Sequence, residues 1–270
     1  IGRTLEDGKY KKAYGEWSSA ESGSLNSITN ANKFKFLGHE RLLNWQYTIN
    51  FAEEGKRALS VSYADATLRN RQSITVNESD ANVIVGETVY DYEGRSAIEI
   101  LPVPSGYPKI QFYKDFNGSI SPSDFDVNEG SCTPSSTQLN NTKGASRYYS
   151  ENNTSTSSYR DFIPNAYRYP YIQKQFTKDL TARLRKISGV GLMHRIDGQH
   201  ATTNYYENTV QYNLDRIFGS EVGFANHYSR NLVKGPNGQY AVTYLDVKDN
   251  VIATSLLGSS PENLTALDGN

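Results

Sequence analysis

From Asn44 to Pro104 apolar and polar residues alternate in short runs separated by turn signals, a period of two that predicts strands rather than helices. Trp45-Gln-Tyr47-Thr-Ile49-Asn-Phe51 comes first, and Ala52-Glu53-Glu54-Gly55 breaks it. Ala58 to Tyr63 and Gln72 to Val76 follow, with a turn near Asp65 between them. After a polar break at 77–82, Val83-Ile-Val85 leads on to Val89-Tyr90, and Ala97 to Leu101 comes after Asp91-Tyr92-Glu93-Gly94. Runs of this length and spacing read as an antiparallel meander, and Pro102 and Pro104 are expected to end it because proline cannot donate to a ladder.

The chain closes on a second strand-rich block. Asn231-Leu-Val233, the turn Gly235-Pro-Asn-Gly238, Tyr240 to Tyr244, a turn over Asp246 to Asn250, and Val251 to Leu256 predict a three-stranded meander. Between the blocks one helix is expected over 209–218. Asn208 would be its cap, Val210, Leu214, Ile217 and Phe218 its buried face, and Gly219 its stop.

The stretch from Asn117 to Tyr159 has few large apolar residues and many Ser, Thr, Asn and Gly, so it reads as a surface excursion or a boundary. Three parts result: a β-meander block over 1–116, a polar linker over 117–160, and a β block with a short helix over 161–270. The fold class is all-β.

Composition agrees. Apolar residues make up only 37% of the 270 positions, but Tyr occurs 20 times against one Met, and tyrosine suits a pleated, half-wet surface. A net charge of −1 gives no footprint for nucleic acid or an anionic membrane. No apolar run approaches the length of a membrane helix, and the single Cys132 excludes an internal disulfide. The opening Ile1-Gly-Arg, without Met, reads as a processed protein or an excerpt from a longer one.

One turn recurs. Its clearest copy is Tyr90-Asp91-Tyr92-Glu93-Gly94-Arg95, in which Asp91 can bond the backbone ahead of it and Gly94 suits a type I turn leading into a bulge. Tyr90 and Arg95 would then meet across the hairpin. Degenerate copies pair Tyr63 and Asp65 with Arg69, Phe176 and Asp179 with Arg183, and Tyr244 and Asp246 with Asn250. All three lack the glycine, and the aromatic changes its offset from the aspartate.

At these residues the chain resembles the tyrosine/aspartate repeats of RHS proteins, also found in teneurins and insecticidal toxin-complex shells, and most closely the large exported RHS-type proteins of Bacteroidetes. NWQYTINFAEEGKR from Asn44, VGETVYDYEGRSAIEILPVP from Val85, FIPNAYRYPYIQKQFT from Phe162 and LDRIFGSEVGFANHYSRNLV from Leu214 carry the resemblance. It implies hairpin repeats wound into a spiralling sheet that closes as a shell around, or presents, a C-terminal toxin or effector. It further implies export by the type IX route to the cell surface or medium. The partners implied are the rest of the same polypeptide and export-machinery or cell-surface proteins. The shell-closing DPxGL motif is missing from this stretch.

Catalytic chemistry finds no foothold. There is no GxSxG elbow, phosphate loop or dinucleotide fingerprint, and Gly189-Val-Gly191 lacks a strand–helix frame. Glu53 and Glu54 sit in a turn, Asp124, Asp126 and Glu129 lack the spacing of a calcium loop, and Cys132 lies in the polar stretch without an orienting shell. His194 and His200, with Asp197 and Glu207, are the only group of metal-ligand composition, and read as a polar hairpin rather than a zinc site. No catalytic residue, metal or cofactor is expected. Tyr167, Tyr169 and Tyr171, with Tyr205-Tyr206 beyond, form a candidate ligand surface for sugar or protein, which would make the chain an adhesion or carbohydrate-binding module; packing across strands is the competing reading.

Overall fold

A computed structural model of the chain describes residues 2–6, 9–13, 43–51, 57–77, 82–120 and 135–258. Two compact units divide at His39 and Glu40. In the first, β1 (Gly2–Glu6) and β2 (Lys9–Ala13) form an antiparallel pair. Everything that follows concerns the second. Residues 53, 54, 124, 126, 129 and 132, and with them the paired glutamates, the loose calcium-like triplet and the lone cysteine, lie outside the described residues.

The second unit is a single eleven-stranded antiparallel meander in which every strand pairs with its sequence neighbours. The strands are β3 (Asn44–Phe51), β4 (Arg57–Ala64), β5 (Asn70–Asn77), β6 (Asn82–Tyr90), β7 (Ser96–Pro104), β8 (Tyr171–Phe176), β9 (Leu184–Ile187), β10 (Thr202–Asn208), β11 (Ser229–Lys234), β12 (Tyr240–Leu245) and β13 (Val251–Leu257). The sheet is not closed: among the described residues β3 pairs only with β4 and β13 only with β12.

Alternation aligns the apolar positions into rows across the strands. Val61, Ile74, Val85 and Val103 face one another along β4 to β7 and are buried. In the adjacent row, Tyr63, Gln72, Glu87, Ile100 and Tyr171 run from β4 to β8. Two polar residues thus interrupt an otherwise apolar row. They are there because Tyr113 and Asn117, in the connection that follows β7, lie over this face and need partners for backbone and side chain. Gln72 donates Nε2 to the Tyr113 carbonyl at 3.1 Å and accepts from the Tyr113 N–H at 2.8 Å, imitating a ladder partner. Glu87 accepts from Asn117 Nδ2 at 2.7 Å, and Asn117 Oδ1 accepts from the Ala145 N–H at 2.8 Å.

The polar stretch over 117–160 is therefore an insertion within one sheet and not a division between two, because β7 and β8 pair across it. Its described part contributes buried Leu139 and Ala145 to the core, the latter on α1 (Gly144–Tyr148), alongside Tyr169 and Tyr171. Few large side chains suffice because buried Asn117 and Asn153 act as internal hydrogen-bonding struts, the latter donating to the Tyr148 carbonyl.

Pro102 lies within β7 and Pro104 is its last residue, but the meander continues past them into β8. Pro104 pairs with Ile84, and β8 covers β7 only over Ile98 to Ile100, so Pro102 and Pro104 owe no donor on that side. A register shift between Val85 and Glu87 absorbs the irregularity at Gly86. The helix begins later than expected, as α2 (Gln211–Phe218), with Val210 at its cap position and no side-chain cap. Asn208 cannot cap it because it closes β10, paired with Ser229. Leu214 and Phe218 pack on Val242 and Tyr244, whereas Val210 and Ile217 face solvent. Gly219, at φ 83°, does stop the helix, its N–H donating to the Asp215 carbonyl.

Candidate functional site

In a meander, alternate connections fall at the same end of the sheet. The turns between β4 and β5, β6 and β7, β8 and β9, and β12 and β13 all belong to one end, and these are the four aspartate turns.

Their hydrogen bonding repeats. In the turn that Asp65 begins, Oδ1 accepts the backbone N–H of Thr67 (2.9 Å) and Arg69 (3.1 Å), while Oδ2 accepts Arg69 Nε at 3.0 Å. Asp91 does the same with Glu93 and Arg95, at 3.0, 2.9 and 2.7 Å. Asp246 repeats it with Lys248 and Asn250, whose Nδ2 replaces the guanidinium at 2.9 Å. In all three the Asp N–H bonds the carbonyl four residues on, and the residue three on returns its N–H to the Asp carbonyl. Gly235 to Gln239 makes the same backbone turn without a carboxylate.

The residue three on takes a left-handed backbone in each of these four turns: Leu68 at φ 62°, Gly94 at 81°, Gly238 at 79° and Asp249 at 60°. In the degenerate copies at Asp65 and Asp246 the missing glycine is thus a strained residue in the same place, not a different turn.

The Asp179 turn is wider. Thr177, not Asp179, closes it by donating its N–H to the Arg183 carbonyl, and Leu180 and Ala182 are both left-handed. Asp179 still holds Thr181 and the Arg183 guanidinium, at 3.0 Å to Nη2. Hydrogen bonds from Thr181, Thr177 and Arg183 hold its carboxyl well below the ordinary aspartate range. At Asp246 the Asn250 side chain and backbone do the same. At Asp65 the desolvating effect of burial is outweighed by Thr67 and Arg69.

The arginines reach forward. Arg69 lies over the Tyr90 ring (5.1 Å), Arg95 over Phe176 (4.7 Å) and Arg183 over Tyr206 (4.3 Å), so each guanidinium caps the first strand of the next hairpin at this end. Arg95 therefore does not turn to Tyr90 of its own hairpin. Tyr90 already receives Arg69, whose Nη1 occupies the space a Cβ on Gly94 would need, 2.6 Å from it. The tyrosine hydroxyls complete the link: Tyr90 donates to the Asn70 carbonyl and Tyr206 to the Leu184 carbonyl, each 2.9 Å and each the residue after the stacked arginine.

The changing aromatic offset now has a reason. Tyr63 and Tyr244, two before their aspartates, are buried on the core face, as is Val89. Tyr90 immediately precedes Asp91 and faces the other way, and Phe176 immediately precedes Thr177, which closes the wider turn. The two classes of aromatic serve two faces. Between β10 and β11, the helical connection replaces the turn, and an ion pair of Glu207 with Arg230 stands at its base.

The candidate ligand surface divides. Tyr169 and Tyr171 are 7% and 2% exposed and belong to the core, which removes them from any ligand surface. The Tyr171 hydroxyl donates to the Thr137 carbonyl at 2.7 Å, and burial pushes its pKa far up. Tyr167 remains, 57% exposed, and Tyr205 on β10 is 42% exposed. His194 and His200 lie ring to ring at 5.5 Å, and His200 Nδ1 meets the Pro236 carbonyl at 2.9 Å. Their acids are engaged elsewhere, Asp197 with Arg195 (2.8 Å) and Ser136 (2.9 Å), Glu207 with Arg230. Among the described residues no three His, Cys, Asp or Glu side chains gather as a metal site, and no helix is long and apolar enough to cross a membrane.

The fold and these turns define an open antiparallel meander whose hairpins are stapled at one end by aspartate turns and forward-stacked arginines. No protein-family model and no curated protein sequence matches the chain.

Proposed function

We propose that this chain is a non-enzymatic structural segment of a large exported RHS-like β-shell protein, whose neighbouring strands belong to the same polypeptide and whose shell encloses or presents a toxin or effector carried elsewhere in it. The observation that carries the reading is the aspartate turn itself. It recurs at one end of a continuous eleven-stranded meander, and three of its arginines stack on the following hairpin. Such a unit adds hairpins indefinitely without a reactive site, which is what a shell wall requires.

Export to the surface or medium belongs to the same proposal, as do contacts with export machinery. Electron cryo-microscopy of the natural polypeptide that carries this chain tests it. A coiled sheet around a lumen, with this segment in its wall, is the expected image; a separate globular body with a flat or solvent-covered sheet would refute it.

A further inference from the structure

We propose that the cleft between the 138–168 segment and the turn at Leu192 is a binding site for a neutral saccharide, with the Tyr167 ring as its stacking platform. This does not rest on the shell reading. The cleft has a volume of about 330 Å³, at the small end of ligand sites, and Gln138, Asn141, Glu151, Asn165, Tyr167 and Leu192 are among the residues that line it.

The backbone at Tyr167 is the first observation. Tyr167 and Arg168 are consecutive non-glycine residues in the left-handed region, at φ 51° and 72°. Each costs about 1–2 kcal/mol relative to an ordinary backbone. The surroundings hold them there. The Tyr167 N–H donates to Asn165 Oδ1 (2.7 Å), Tyr169 N–H to the Ala166 carbonyl (2.9 Å), and Leu139 N–H to the Arg168 carbonyl (3.0 Å). The consequence is geometric. Within Tyr167, Tyr169 and Tyr171 the turn sends the last two into the core and leaves the first ring outside, over a cleft.

The second observation is the lining chemistry. Asn141 and Asn152 line the cleft with side-chain amides that have no partner among the described residues, and the Glu151 carboxylate has none among them either. An amide both donates and accepts, as a sugar hydroxyl does. Arg168, the one cation among the lining residues, is held in place by donating Nε to the Leu139 carbonyl (2.9 Å) and Nη1 to Gln138 Oε1 (2.8 Å). Arg168 and Glu151 are the charged residues of the lining and offset one another, so the cleft carries no net positive charge to favour a phosphate or carboxylate over a neutral ligand. The Tyr167 ring and the Leu192 side chain supply the apolar contact that the C–H face of a pyranose requires.

Saturation-transfer NMR on the full chain tests the proposal. The probes are the methyl glycosides of glucose, galactose and mannose, N-acetylglucosamine, cellobiose and maltose, with inorganic phosphate as the anionic control. Tyr167→Asn removes the ring while suiting the left-handed backbone, so folding is retained, and Tyr167→Trp keeps a stacking face. Saturable transfer from at least one saccharide, weakened about tenfold or more by Tyr167→Asn and kept by Tyr167→Trp, is the expected result. No transfer from any saccharide, equal binding by Tyr167→Asn, or preferential binding of phosphate at the cleft would overturn it.

Discussion

Leu68 and Gly94 meet the same left-handed backbone with opposite means, and substitutions should separate the two costs. Leu68 is 75% exposed, so its side chain contributes little packing to offset the strain at φ 62°. Leu68→Gly should stabilise the chain by about 0.5–1 kcal/mol, the relief exceeding the added entropy of the unfolded chain. Gly94→Ala should destabilise it by more than about 1 kcal/mol, since it adds both strain and a methyl where Arg69 Nη1 now lies. Chemical denaturation reads both, and equal shifts would contradict the account. Glu87 carries a titration of the opposite kind to the turn aspartates. Burial raises its pKa, with Asn117 and Arg71 only partly compensating. A group raised on folding stabilises below its unfolded pKa and loses that contribution as pH rises through the folded one. Glu87→Gln should therefore raise the melting temperature at pH 7 and leave it nearly unchanged near pH 4. The depressed Asp65, Asp179 and Asp246 contribute above about pH 4 and lose that contribution as pH falls through their folded values.

Among the hairpins, the second staple is incomplete. Tyr90 and Tyr206 each stack under an arginine and donate to the next carbonyl, but Phe176 stacks under Arg95 without a hydroxyl. The registers superpose: Gln72 opposite Glu87 places Tyr90 beyond Asn70, and Ile98 opposite Gln173 places Phe176 beyond Ser96 in the same way. Phe176→Tyr should therefore add a bond to the Ser96 carbonyl and stabilise by about 0.5–1.5 kcal/mol. A loss of stability would show that the wider turn displaces the ring from the repeat geometry. These elements also show what the sequence could disclose. Strands β3 to β7 and β11 to β13 follow from alternation because one face packs on apolar neighbours. Strands β8 to β10 escape it because Gln173 and Gln175 are buried on the packed face and β10 is Thr, Asn and Tyr almost throughout. The aspartates, arginines and tyrosines of the staples were legible at single positions. That Arg95 reaches Phe176 was not, because an insertion of more than sixty residues separates β7 from β8.

The described sheet ends in two strands whose outer backbone edges have no partner strand, and both carry apolar side chains into water. Tyr47 and Phe51 lie exposed on β3, and Val251, Ile252, Leu256 and Leu257 on β13, with Phe51 79% and Leu256 71% accessible. Soluble proteins ordinarily blunt such edges with lysine, proline or a bulge. Neither strand contains a lysine or a proline, and only β13 carries an irregularity, where Ile252 is skipped between the Ala253 and Val251 pairs. If the proposed wall continues on both sides of this sheet, the separate chain should be adhesive. At concentrations of about 10–100 µM it should associate, measured by size-exclusion chromatography with light scattering, and Ile252→Lys with Leu256→Lys should reduce that association without lowering the melting temperature. The central strands supply the contrast. Amides of β5 to β7, paired on both sides beneath the insertion, should exchange slowest, and those of β13 should gain protection as concentration rises. A chain that stays monomeric across this range, with β13 exchange independent of concentration, would mean that the edges are finished surfaces, and the wall would lose its strongest physical argument.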